Sequence, residues 1–264
     1  MLHNEANKKG SPAPQPPKYV VKLQDVDIEF PVHNSNSRSL QLDIARLFGA
    51  KVSEHNRAVL VRSLQNVSFE LKEGERVAFI GHNGAGKTTL LRTIAGAYEP
   101  ARGTVETHGT ITAMTDFTMG MDPEASGRNN IIFRGVFMGM TFAEIKSRVD
   151  EVIEFTELHD FIDLPIRTYS TGMFLRLAFA VSTLVAPDVL VLDEIIAAGD
   201  LGFQAKLRAR LDEYIEQARI IVLAAHDLGA VKGLCPRTIW LRGGSIVADG
   251  PTKEIVEAYQ AAGA

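Results

Sequence analysis

The stretch Gly81-His82-Asn83-Gly84-Ala85-Gly86-Lys87-Thr88 constrains this chain more than any other. It has the spacing G-x-x-x-x-G-K-[ST], follows an apolar run from Arg76 to Ile80 that reads as a buried strand, and precedes a helical run from Thr89 to Tyr98. Glycines at these places let backbone N–H groups curl around phosphate oxygens, and the helix N-terminus adds the positive end of its dipole. Lys87 then reaches the β and γ phosphates and Thr88 ligates magnesium. The expected nucleotide-binding residues here are Gly81, Asn83, Gly84, Gly86, Lys87, Thr88 and Thr89, with Thr88 shared by the metal. His82 and Asn83 fall at variable positions of the pattern, and His82 reads as a loop side chain near solvent.

A phosphate loop alone serves kinases, GTPases and ATPases equally, and the second half of the chain narrows the choice. Val189-Leu190-Val191-Leu192-Asp193-Glu194 is an apolar strand ending in two carboxylates. Both emerge at the carboxyl end of a parallel sheet, where such folds bind their ligands. Asp193 is expected in the magnesium shell, and Glu194 is placed to polarise a water for in-line attack on the γ phosphate. A third apolar strand, Arg219 to Ala225, runs into His226-Asp227. A neutral His226 there can hydrogen-bond the γ phosphate or the attacking water.

Composition bounds the class. The 264 residues give one domain, elaborated by a subdomain, and 45% hydrophobic with 23% charged residues is an ordinary globular balance. With 32 acids against 28 bases the net charge is −4, which supplies no chain-wide attraction to nucleic acid or anionic lipid. No apolar run approaches the roughly 20 residues of a membrane span. The single cysteine, Cys235, cannot form an internal bridge, and the N-terminus lacks the apolar core of a secretory signal. Residues 1–18, with Pro12, Pro14, Pro16 and Pro17, read as a disordered tail.

From Tyr19 the texture changes. Val21, Leu23, Val26, Ile28 and Phe30 suggest one or two strands, and Val67, Phe69 and Leu71 alternate up to a turn at Lys72 to Glu75. Pro31 to Asn56 reads as an insertion, with Leu40, Ile44, Leu47 and Phe48 on one face of a short helix and the chain returning to the sheet near Val59 to Val61. The last strands fall around Thr238 to Val247, leaving a short tail to Ala264.

Tyr169-Ser170-Thr171-Gly172-Met173 opens a further helical run ahead of the acidic strand. This order of phosphate loop, signature, acidic strand and histidine resembles the nucleotide-binding subunits of ABC transporters, from Tyr19 to the end of the chain. The resemblance implies an α/β fold: a P-loop NTPase core of the RecA-like kind, an antiparallel β subdomain, and an inserted α-helical subdomain at about 114–186. It further implies a homodimer that sandwiches two ATP with Mg2+, in which Ser170 and Gly172 of one subunit face the γ phosphate held by the other. Arg176 is similar to the family's arginine one turn into that helix. The family's coupling glutamine is replaced, Asp116 being the nearest match, and Phe30 is a candidate to stack on adenine or to serve as a strand core residue.

The signature departs from Leu-Ser-Gly-Gly-Gln at Tyr169, Thr171 and Met173, and in this it resembles the ATPases that export O-antigen, capsule and teichoic acid. Asp122-Pro123-Glu124-Ala125-Ser126-Gly127-Arg128-Asn129-Asn130 and Ala197-Ala198-Gly199-Asp200 followed by Gly202-Phe203-Gln204-Ala205-Lys206 resemble that subgroup too. The expectation is an ATPase peripheral to the cytoplasmic face of the inner membrane, driving a separate transmembrane permease that moves a lipid-linked polysaccharide, with no nucleic-acid partner. Met114, Met119, Met121, Met138 and Met140 beside Phe133 and Phe137 read as core, or as the apolar groove that receives the permease in this family. After the last strands the sequence leaves no room for the carbohydrate-binding domain that some of these exporters append. The competing reading is a soluble ABC-type ATPase acting on nucleic acid or ribosomes, which commonly has two nucleotide domains or a long coiled-coil insertion.

Overall fold

The computed structural model describes residues 20–32, 52–55, 58–114, 119–193, 201–225 and 227–263. The expected tail at 1–18, the helix expected near residues 40–48, Asp116, Glu194, residues 197–200 and His226 lie outside the described residues.

Two sheets and a helical insert organise the chain. The main sheet has the order β10-β9-β4-β8-β7-β6, built from β4 (Arg76–Ile80), β6 (Ile111–Met114), β7 (Val189–Asp193), β8 (Ile220–Ala224), β9 (Arg237–Arg242) and β10 (Ser245–Pro251). All its neighbours are parallel except β10 on β9. Parallel strands are covered on both faces, which is why β4, β7 and β8 read as nearly unbroken apolar runs. The second sheet is antiparallel, in the order β2-β3-β1-β5, from β1 (Val20–Val32), β2 (Val52–His55), β3 (Ala58–Lys72) and β5 (Arg102–His108).

Alternation along β4 divides the core. Val77 and Phe79 join α1 (Lys87–Ile94), through Leu90, Leu91 and Ile94, and the inner face of the second sheet, through Leu23, Ile28, Leu64 and Phe69. Ala78 and Ile80 face the other way, toward Phe203, Leu207, Leu211 and Tyr214 of α5 (Leu201–Gln217), Val231 of α6 (Leu228–Leu234), and Ile255 and Val256 of α7 (Thr252–Ala261). Between β6 and β7 the chain adds α2 (Gly127–Phe137), α3 (Phe142–Thr156) and α4 (Thr171–Ser182). They close their own core around Ile131, Ile145, Val149, Leu177 and Val181.

Three details differ from the sequence reading. The two runs expected near 59–61 and 67–71 belong to the single strand β3, whereas residues 20–32 form one strand, one of the two alternatives the sequence allowed. The end of the expected insertion is itself a strand, β2, paired with β3 from Val52↔Val61 to His55↔Ala58. The expected C-terminal tail is a helix: Thr252 shares a hydrogen bond with Thr238 at 2.8 Å, and Tyr259 packs edge-on to Trp240, with centroids 5.5 Å apart.

Candidate nucleotide site

β4 ends at Ile80 and delivers Gly81 to Thr88 as a tight loop into α1. The loop is backed by protein on two sides. A Cβ on Gly81 would lie 2.3 Å from the Leu241 carbonyl oxygen, and one on Gly86 would lie 2.9 Å from that of Ser63. The Ser63 and Thr89 hydroxyls are 2.7 Å apart, and the Gly244 N–H donates to the Ala85 carbonyl at 3.0 Å. Sheet and turn therefore pack directly against the loop.

What the loop presents is a set of donors. The N–H groups of Gly84, Gly86, Thr88 and Thr89 have no acceptor among the described residues, since the first turn of a helix has none of its own. Gly86 caps α1 in the left-handed region at φ 104° and offers no side chain in place of an anion. The buried Lys87 ammonium donates to the carbonyls of Gly81 at 2.6 Å and His82 at 3.2 Å, at the mouth of the loop. His82 is half-buried, with Nδ1 2.7 Å from the Asn83 carbonyl, and Asn83 is exposed. Open donors, a lysine and the positive end of a helix fit a polyphosphate.

Register brings the acid to the same end. β8 lies between β4 and β7, and Asp193 is level with Ala224, which pairs with Phe79. Across β8, the Thr88 hydroxyl donates to Asp193 Oδ2 at 3.1 Å. One hydroxyl and one carboxylate make a partial oxygen set suited to Mg2+, which usually keeps waters and phosphate oxygens as its other ligands. Among the described residues no group of three or more His, Cys, Asp and Glu forms a self-sufficient metal centre. Glu194 and His226 follow β7 and β8 in sequence but lie outside the described residues. Phe30 packs edge-on to Tyr98, with centroids 5.1 Å apart, and is half-buried against the main core.

The signature forms the start of α4. Ser170 is exposed and caps the helix, its hydroxyl accepting from the Met173 N–H at 3.2 Å. The N–H groups of Thr171 and Gly172 take no acceptor among the described residues, and no hydrogen bond there joins residues 170–172 to residues 81–88. The start of α2 is different. Its Gly127 and Arg128 N–H groups donate to the carbonyls of Leu164 and Ile162, and Ser126 caps Asn129. One helix end is closed by protein, and the other is left for something else.

The described parts of the subgroup motifs, Gly127, Tyr169, Phe203 and Lys206, lie close to the signature helix or its neighbours. The Tyr169 hydroxyl donates to the Phe161 carbonyl at 2.7 Å and sits where a Cβ on Gly127 would be. Arg176 stacks over the Phe203 ring at 4.3 Å, and Lys206 pairs with Glu157 at 3.1 Å. Sequence reasoning quoted Asn130 only as part of a motif. It is wholly buried, donating to the carbonyls of Asp122, Ala125 and Ser126 and accepting from the Asp122 N–H, so it shapes the loop before α2. The buried Arg134 was not singled out either, and it joins α2 to Ser182 of α4 and the Met119 carbonyl.

The methionines divide between two settings. Met114 is in the main core, and Met121 and Met140 pack against the helical core. Met119, Met138 and Phe137 instead line a cleft of about 620 Å³ between the end of α1 and α2, with Tyr98 and Arg134 also on its walls. Phe133, Val136 and Phe137 on α2 are each close to half exposed or more.

A phosphate loop ahead of a helix, an acid two strands away at the same sheet edge, and an inserted helical unit with an open helix end define a P-loop ATPase of the cassette type. Residues 64–197 match the ABC transporter family, and relatives agree along most of the chain. This chain belongs to the ABC transporter family, as an ATP-binding and ATP-hydrolysing domain. It is 41% identical to the O-antigen export system ATP-binding protein RfbE of Yersinia enterocolitica over 85% of this chain and 95% of that one. It is 43% identical to the O-antigen export system ATP-binding protein RfbB of Myxococcus xanthus over 78% of this chain, spanning 47% of that relative. With the teichoic acids export ATP-binding protein TagH of Bacillus anthracis it shares 37% identity over 91% of this chain and 42% of the relative. The chain thus spans about half the length of some of these relatives and nearly all of others. Among solved structures, a post-hydrolysis ATP-binding cassette dimer bound to ADP and Pi has a TM-score of 0.61 at 21% identity, covering 88% of this chain and 98% of that one. An ATP-binding subunit of an ABC transporter has a TM-score of 0.65 at 21% identity over 93% and 95%. Both show the same fold.

Proposed function

We propose that this chain powers the export of a lipid-linked polysaccharide, as one of two copies that close on ATP at the cytoplasmic face of the cytoplasmic membrane and act on a separate transmembrane partner. The observation that carries the dimer is the pair of incomplete donor sets. The loop at residues 81–88 has open N–H groups, and so does the start of α4, yet no hydrogen bond among the described residues joins them in one chain. A second copy placed head to tail completes each set with the other, Ser170 and Gly172 meeting the terminal phosphate that Lys87 holds. The export names of the relatives and the subgroup signature at Tyr169 to Met173 support the polysaccharide cargo.

Thr88 and Asp193 would be the protein ligands of Mg2+, which would neutralise charge on the phosphate oxygens when bound. Glu194, next after Asp193, is the general base that takes a proton from the attacking water, and His226 contacts the terminal phosphate. Among the described residues no helix is long and apolar enough to cross a membrane, so in this reading the passage for the polymer belongs to the partner. The partner's docking place is the cleft beside Met119, Phe137 and Met138.

The test is Glu194→Gln. General bases contribute about 10²- to 10⁴-fold, so phosphate release should fall by that range while ATP still binds and a closed dimer accumulates on gel filtration. Cells carrying only this variant should retain undecorated polymer on the inner side of the membrane. Near-normal phosphate release, or normal surface polymer, would reject the assignment.

A further inference from the structure

The first residue of the signature has a role that its neighbours do not explain. Tyr169 leads into Ser170, and its hydroxyl reaches back over the turn at residues 161–164 to the Phe161 carbonyl at 2.7 Å. The same turn accepts the first two N–H groups of α2, Arg128 onto Ile162 at 2.9 Å and Gly127 onto Leu164 at 3.2 Å. Beside it the chain segments run together: Ser126 bridges to Pro165, the Ile166 N–H donates to Ala125, the Arg167 N–H donates to Pro123, and the Arg167 side chain pairs with Glu124 at 2.9 Å. Glycine at 127 is what admits the phenol, since a Cβ there would stand 2.3 Å from the Tyr169 oxygen. Burial first and Asp163 second push the Tyr169 phenol above its ordinary value, so it remains a donor through the neutral range.

We infer that Tyr169 is a positioning residue for ATP turnover, its hydroxyl tying the start of α4, and so Ser170 and Gly172, to the turn at residues 161–164 that seats the start of α2, the helix whose far end carries Phe133, Val136 and Phe137. The inference rests on the reading above that Ser170 and Gly172 act across the dimer. A leucine in the place of Tyr169 has no hydroxyl to span this distance. The two motifs, 42 residues apart at Gly127 and Tyr169, are one joint: a small residue on one side and a hydroxyl on the other. Movement imposed on α2 must carry Ser170 with it, and a Ser170 that meets phosphate must pull on α2.

Tyr169→Phe in the full chain keeps the ring and removes the bond. One neutral hydrogen bond corresponds to about a 2- to 10-fold change in an equilibrium. The KM for ATP should therefore rise about 2- to 10-fold, and ATP-driven dimerisation in the Glu194→Gln background should need correspondingly more ATP. The kcat at saturating ATP should stay within about twofold, and a fluorescent ATP analogue should bind the monomer's phosphate loop as before. Gly127→Ala should raise KM as well, and Gly127→Ala with Tyr169→Phe should recover toward the value of Tyr169→Phe alone, because the clashing oxygen is gone. An unchanged KM in Tyr169→Phe, or no recovery in the double variant, overturns the proposal. A Tyr169→Phe chain that loses thermal stability and monomer ATP affinity together assigns the residue to folding and also overturns it. A wild-type chain that neither hydrolyses ATP nor dimerises on it strikes instead at the proposed function, which separates the two failures.

Discussion

At the scale of single residues, the phosphate loop is held by what its glycines lack. Gly86 sits at φ 104° with the Ser63 carbonyl 2.9 Å from where a Cβ would be, and Gly81 has the Leu241 carbonyl closer still. Gly86→Ala must move backbone on both sides. Backbone strain of this kind costs about 1–3 kcal/mol, and that loss should be visible in urea unfolding, with ATP affinity falling at least about tenfold by the same displacement. A variant as stable and as tight as the wild type would mean that β3 yields freely. These residues were legible in the sequence because the pattern and the chemistry coincide within eight positions. Tyr169 was legible as a departure from the common signature, but not its purpose. Its partners, Phe161 and Gly127, are distant in sequence and unremarkable in type, and only the folded turn brings them to it.

At the scale of elements, the short parallel strands were readable because burial on both faces leaves an apolar run. The long strands of the second sheet were not, because they are bulged. Asp25 and Asn66 adopt left-handed conformations at φ 51° and 49°, and side chains stabilise both places: Ser68 accepts from the Asp25 N–H at 2.8 Å and Asp27 from the Asn66 N–H at 2.7 Å. Each bulge shifts the alternation by a residue, so one strand reads as two. The helical unit depends on a similarly local fit. Gly135 of α2 lies under Ile145 of α3, and a Cβ there would stand 2.4 Å from the isoleucine side chain. Gly135→Ala should destabilise by about 1–3 kcal/mol, the range for overpacking a filled core, with Ile145→Val restoring part of it. If the two changes simply add, as measured by denaturant unfolding, the helices are not in the close contact described.

At the scale of the whole molecule, two buried acids set how the fold responds to alkali. Burial pushes the Cys235 thiol from 9.0 up to about 12, and the Tyr214 phenol from 10.0 up to about 12. The unfolded chain releases these protons first, so their contribution is whole below pH 9 and is lost as pH rises toward 12. Thermal unfolding from pH 8 to 11 should show a falling midpoint, and Cys235 should resist alkylation in the native state at pH 9. The surface proposed for the membrane partner belongs to this scale too. Phe137 is 60% exposed, whereas Met140 is packed against the helical core, so Phe137→Glu is the change expected to release the partner without harming the fold. Undiminished co-purification of the partner with a normally melting Phe137→Glu chain would place the contact elsewhere.

Trp240 is the only tryptophan of the chain. It pairs across the main sheet with Ile80, the residue immediately before the phosphate loop, and α7 places Tyr259 edge-on to its ring. This chain therefore has its single tryptophan, selectively excited at the red edge of protein absorption, at the root of its nucleotide site. Its emission, shielded from water in the folded chain, provides a label-free optical record of whether a ligand entering the loop tightens the sheet behind it.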